Sequence, residues 1–119
     1  MLLSINPEHV ENIMNGNKRF EFRKVRCRPE VDKIIIYATS PVMKVVGEAD
    51  VIDVIVDLPE QVWKLTSEFA GVSKLFYDRY YQDKDVAVAY QLGKVEKYKN
   101  QLSLADFGIR FAPQSFVYV

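Results

Sequence analysis

Gly16, Lys18, Glu21 and Arg23 stand at the spacing GxKxxExR within NGNKRFEFRK, and they are the residues of this chain best suited to chemistry. Lysine gives a compact point cation, glutamate a pair of acceptor oxygens, and arginine a planar fork of donors. Together they suit a polar ligand such as a nucleotide. Arg23 would make bidentate contact with phosphate or carboxylate, Lys18 an adaptable ammonium contact, and Glu21 would take hydrogen bonds from a base edge or ribose, or hold Arg23 in position. A carboxylate beside a lysine also suits general-base work, so Lys18 and Glu21 form the candidate catalytic pair. The competing reading is an ion pair that stiffens a strand. Because exposed ion pairs typically contribute only about 0–1 kcal/mol, ligand binding is the better reason for gathering these charges.

A strand is needed to present them. Phe20 and Phe22 alternate with Arg19, Glu21 and Arg23, which predicts a strand over Lys18 to Lys24 with apolar and ionic side chains on opposite faces. Strict alternation puts Lys18 on the Phe20 face, so convergence requires it to precede the regular pleat or sit at a bulge. Upstream, Leu2 to Ile5 reads as a short strand. Asn6 and Pro7 then open a helix carrying Val10, Ile13 and Met14 on one face, and Gly16 ends it. Downstream of the basic turn VRCRPEVD, Val31 to Ala38 is a nearly continuous apolar strand, expected to be buried on both faces and closed by Thr39, Ser40 and Pro41.

Met43 to Val56 is rich in β-branched residues, with Gly47 where a strand would bend, predicting one long curved strand or two consecutive ones. Pro59 opens a helix with Val62, Leu65 and Phe69 inward, Gly71 stops it, and Ser73 caps a third segment holding Leu75, Phe76 and Tyr80. DVAVAYQLGKVEKY returns as a long strand with Val86, Val88, Tyr90 and Leu92 on one face. A helical turn at Ser103 to Phe107 and a last strand, QSFVYV, follow. Strands scattered among short helices predict an α+β fold, a small mixed barrel rather than a doubly wound parallel sheet.

Other residues are weaker candidates. Tyr37, Thr39 and Ser40 end an apolar strand, where two hydroxyls could bond a ligand and a ring could stack on a base; core packing and turn chemistry are the plainer readings. Trp63, Tyr77, Tyr80 and Tyr81 are spaced for packing on helices. His9 is the sole histidine, with no cysteine or second histidine at ligand spacing, and Glu48, Asp50 and Asp53 lie on a strand without a liganding loop. No metal site is expected. There is no phosphate-loop or dinucleotide fingerprint and no triad around the lone histidine, so no cofactor is expected either.

A chain of 119 residues fits a single domain over 1–119, and its 49% hydrophobic and 13% aromatic content excludes a disordered tail. Cys27 is the only cysteine, which rules out an internal disulfide and suits a reducing compartment. MLLSINPEHV meets proline and charge too early for a signal peptide, and no stretch approaches the roughly 18 apolar residues of a membrane span; a cytoplasmic protein with no membrane partner is expected. Net charge is zero, so general attraction to polyanions is not expected, but seven cations against three anions between Lys18 and Lys33 give that segment a balance of +4.

The GxKxxExR string, IYATSP, the following GEA and the closing APQSF, taken in this order, resemble the ASCH domains of the PUA-like superfamily over essentially the whole chain. The resemblance implies a small PUA-like β-barrel with short flanking helices, a cleft lined by the signature residues, and an association with RNA binding, RNA metabolism and transcription. It also brings Gln114 and Ser115 toward the cleft. Relatives with amidohydrolase activity on N-acetylated cytidine are similar at Gly16, Lys18 and Arg23, which implies a catalytic role for Lys18. They carry a threonine where this chain has Glu21, which supplies no hydroxyl. The expectations are, in order, binding of RNA or a nucleotide through Lys18, Glu21 and Arg23; hydrolysis of acetylated cytidine or RNA; and protein interaction in transcription through Trp63 and the helical tyrosines.

Overall fold

The computed structural model describes all 119 residues. Six strands form one mixed sheet: β1 (Leu2–Ile5), β2 (Phe20–Arg23), β3 (Lys33–Ala38), β4 (Lys44–Asp57), β5 (Ala87–Leu102) and β6 (Phe116–Val117). Their order is β2-β5-β4-β3-β1-β6. Only β1 and β3 run parallel, connected by helix α1 (Pro7–Met14) and then β2; the other pairs are antiparallel. Two further helices, α2 (Pro59–Thr66) and α3 (Lys74–Tyr80), lie between β4 and β5. The sheet curls into a half-barrel, the α+β architecture expected of a PUA-like domain.

The curl has a local cause. β4 is one continuous strand of 14 residues, and its pairing with β5 slips between Val45 and Gly47, between Ala49 and Val51, and between Val51 and Asp53. Each slip bends and twists the ribbon. A Cβ on Gly47 would lie 2.4 Å from the Glu96 carbonyl oxygen, so only glycine permits this approach of β4 to β5.

Alternation along β5 divides the core. Val88, Tyr90 and Leu92 join Leu3, Ile5, Ile34 and Ile36 inside the curl, closed by Val10 and Ile13 of α1. Ala87 and Ala89 face the other way, and with Phe20 and Phe22 they pack against Val62, Ala70, Tyr77 and Tyr81. Three caps stand where the sequence puts them: the Asn6 side chain accepts from Glu8 N–H, Ser73 accepts from Phe76 N–H, and Gly16 takes positive φ just past α1; Gly71 also takes positive φ, but α2 has already ended at Thr66 and a 3-10 turn over Ser67–Phe69 intervenes.

Three expectations are corrected. Leu65 is exposed, not inward, because α2 ends at Thr66 and its buried stripe is the i,i+4 pair Val62 and Thr66. Val86 is exposed because β5 begins one residue later. The strand expected over Lys18 to Lys24 is shorter, Phe20–Arg23, since Lys18 N–H donates to Asn12 O and is still tied to the end of α1. No helix is long and apolar enough to cross a membrane.

Candidate RNA-binding cleft

Because Lys18 precedes the pleat of β2, alternation does not bind it. Its ammonium turns inward, donates to Ala70 O at 2.8 Å and lies 3.9 Å from Glu21 Oε1. Gly71, at φ +69°, makes room: a Cβ there would stand 2.4 Å from the Cβ of Lys18 and 2.6 Å from its Cγ. Lys18 is 2% exposed, and burial holds its pKa below the usual lysine range; Glu21 offsets part of that shift and Arg23 adds to it.

Glu21 and Arg23 lie opposite Tyr90 and Val88 of β5, on the strand positions that face the interior of the curl. As β2 is an edge strand, this is also the mouth of the half-barrel. The Arg23 guanidinium spans that mouth. Nη2 donates to Glu21 Oε2 at 3.0 Å and to Ser4 O of β1 at 3.1 Å, while Nη1 donates to Ser115 Oγ at 3.1 Å. Arg23 thus ties one end of the sheet to the other. Its Nε is buried and has no hydrogen-bond partner.

Above this ion pair lies a cleft of about 260 Å³, floored by Glu21, Phe22 and Arg23 and walled by the β1–α1 junction on one side and α3 on the other. His9 lines it from α1, Phe76, Tyr77 and Tyr80 from α3. The His9 ring meets Phe76 edge-on at 5.3 Å, and the Phe76 and Tyr80 rings lie in near-parallel planes with centroids 6.4 Å apart. Phe76 is 48% exposed, an aromatic ring that packing alone does not require at that place. Burial lowers the pKa of His9 from its usual 6.5, with Lys18 acting in the same direction, so its imidazole is neutral at pH 7; Nδ1 is buried without a partner. Lys24, which pairs with no carboxylate, sits 4.5 Å over the Tyr80 ring at the rim.

The expected site residues are distributed as follows. Glu21 and Arg23 line the cleft, and Lys18 lies beside Glu21 without lining it. Tyr37 is 2% exposed and packs with Leu2 and Val45 in a separate part of the core. Thr39 and Ser40 belong to the β3–β4 turn, where Thr39 N–H donates to Ile5 O and the Thr39 carbonyl accepts from Val42 N–H; neither lines the cleft. Ser115 reaches Arg23. Sequence reasoning passed over His9, Phe76 and Tyr80 as cleft residues. The i,i+4 spacing of Phe76 and Tyr80 shows that they share a helix face, but nothing local says that the face looks into a cleft.

Comparison with known proteins gives a consistent picture. The model of the ASCH domain family matches residues 3–96. The crystal structure of ASCH from Zymomonas mobilis superposes with a TM-score of 0.89 at 26% identity, covering 99% of this chain and 85% of that one. A Zymomonas mobilis protein named ASCH domain-containing ribonuclease is 30% identical over 92 residues, 76% of this chain and 62% of its own. A Ureaplasma parvum protein named large ribosomal subunit protein uL22 is 31% identical over the whole chain, which spans 39% of that relative's length.

Proposed function

The chain belongs to the ASCH domain family, and from that premise we propose that it binds single-stranded RNA by admitting one unstacked base into the cleft between β2 and α3. The observation that carries this reading is the cleft's composition: aromatic rings on one wall, an ion pair on the floor and an unpaired cation at the rim. Single-stranded RNA is read by splaying a base onto aromatic side chains, with cations along the backbone. A volume of about 260 Å³ falls just below the range of roughly 300–1,000 Å³ usual for drug-sized ligands, which suits one base and excludes a duplex. Lys24, over the Tyr80 ring, is the cation a flanking phosphate would meet. The relative named as a ribonuclease supports an RNA-related role in general.

Fluorescence polarisation with short single-stranded RNA tests this. Binding should weaken with salt, with a slope of about −1.4 to −2.1 if two or three phosphates are touched. Tyr80→Ala should weaken it about 10- to 100-fold by removing a stacking surface, and the same sequence as a duplex should compete poorly. Absent or salt-insensitive binding refutes the reading.

That ribonuclease relative favours a second reading, cleavage of the bound strand. Glu21 is the one carboxylate in the cleft and the group placed to accept a proton, with Lys18 beside it. RNA and acetylated cytidine should be offered side by side to the native protein, to Glu21→Gln and to Lys18→Ala. RNA cleavage lost in the variants supports this second reading; turnover that persists in both removes it.

A further inference from the structure

The carboxylate of Glu21 holds most of the unused acceptor capacity of the cleft. The protons of the cleft's hydroxyl groups are already spent within the protein: Ser4 Oγ donates to Pro113 O at 2.7 Å, Tyr77 Oη to Pro59 O at 2.7 Å and Tyr80 Oη to Phe22 O at 3.3 Å. The Nη groups of Arg23 and the ammonium of Lys18 are engaged on Ser115, Ser4, Glu21 and Ala70. Two donors stay unengaged, the buried Arg23 Nε–H and the amide of Asn6, while the unused acceptor capacity is concentrated on Glu21. A carboxylate has about four lone-pair sites; Glu21 uses one on Arg23 at 3.0 Å, and Lys18 approaches the other oxygen only to 3.9 Å. A neutral His9 brings one donor and one acceptor nitrogen, and its buried Nδ1 has no partner.

Among the four RNA bases, only the Watson–Crick edge of guanine places two N–H donors, N1–H and N2–H, side by side in one plane. That pair matches the two oxygens of a carboxylate. Adenine and cytosine each set one amino group beside a ring nitrogen whose lone pair would face the second oxygen. Uracil offers a single N–H between two carbonyls, which repel a carboxylate on both sides. We infer that the cleft selects guanine, with Glu21 accepting N1–H and N2–H and the ring lying against the aromatic wall of α3. The inference rests on the proposed RNA-binding reading and specifies which base the site accepts. Glu21 thereby gains a role as the specificity-determining residue, with Arg23 holding its carboxylate in plane from behind.

Calorimetric titration of the native protein with the 5′-monophosphates of guanosine, inosine, adenosine, cytidine and uridine tests it. Guanosine monophosphate should bind about 10- to 100-fold more tightly than the adenosine, cytidine and uridine forms, in line with the discrimination usual for a bidentate contact. Inosine monophosphate, which keeps N1–H and lacks the N2 amino group, should fall between. Adenosine or cytidine binding as tightly as guanosine overturns the inference and leaves RNA binding standing, as does inosine equal to guanosine. No binding by any nucleotide or by RNA overturns both. Glu21→Gln, which replaces one acceptor by a donor, should erase the guanine preference, and a preference that survives counts against the inference. Should that variant fail to fold, the inosine comparison needs only the native chain.

Discussion

Replacing Arg23 by methionine is the sharpest probe of how the half-barrel is closed. The substitution keeps an unbranched side chain of similar reach and removes the guanidinium, deleting three hydrogen bonds at 3.0–3.1 Å to Glu21, Ser4 and Ser115. The side chains of Arg23 and Glu21 are only 14% and 7% exposed, so this pair is not a solvated surface pair. Breaking a buried ion pair from one side costs about 3–5 kcal/mol, mostly from the charge left behind. Lys18, 3.9 Å from the other oxygen, shelters Glu21 in part and favours the lower half of that range. The Ser4 carbonyl left without its donor adds about 1 kcal/mol or more. A loss near 4 kcal/mol, at about 1.5 kcal/mol per molar of urea, should lower the unfolding midpoint by about 2.7 M. Trp63 is a suitable reporter, since its ring lies 4.8 Å from that of Tyr77 in the core between α2, α3 and the sheet. Removing both charges with Glu21→Gln and Arg23→Met should cost clearly less than the sum of the two single changes. A loss below about 1 kcal/mol for Arg23→Met, or strict additivity in the pair, would show that the two ends of the sheet hold together without the arginine and would refute this account.

Three further outcomes are expected. Gly71→Ala should cost about 3 kcal/mol or more in urea titration, because the new methyl group meets both the positive φ penalty and the Lys18 stem; Gly16→Ala, also at positive φ but in open space, should cost only about 1–2 kcal/mol. Stability should fall steeply above pH 10, since burial pushes the Tyr77 hydroxyl up to about 12 and that of Tyr81 higher still. There the unfolded chain releases protons that the folded one keeps, costing up to about 1.4 kcal/mol per pH unit for each ring; Tyr90 and Tyr98 are shifted the same way, so Tyr77→Phe should remove about a quarter of the slope in urea midpoints between pH 10 and 12. On the acid side, the folded pKa of His9 lies below 6.5, so the unfolded state takes up a proton first and stability should decline as pH falls from 6.5 toward the folded value; His9→Gln should flatten that part of the profile.

The element list was largely legible in the chain because the signals that set it act over a few residues. Asn6 with Pro7, Gly16 and Ser73 begin or end helices through their own backbone geometry and side-chain caps, and the alternation of Val88, Tyr90 and Leu92 needs only the pleat of one strand. Leu65 shows the limit of such reasoning: it has the hydrophobicity of a core residue, yet where α2 stops and which stripe it buries are decided by the sheet beneath.

At the candidate site, the three charged residues and the phenylalanines beside them could be read from the chain, since GxKxxExR is a local string. What those charges do follows from the folded partners around them. Lys18 is held by a carbonyl 52 residues away and Arg23 by a hydroxyl 92 residues away, and His9 meets Phe76 from a different helix. Such partners carry no spacing signal, because the curl of β4 against β5 brings them together, and that curl depends on bulges whose position is fixed by packing of the whole sheet rather than by any short run of residues.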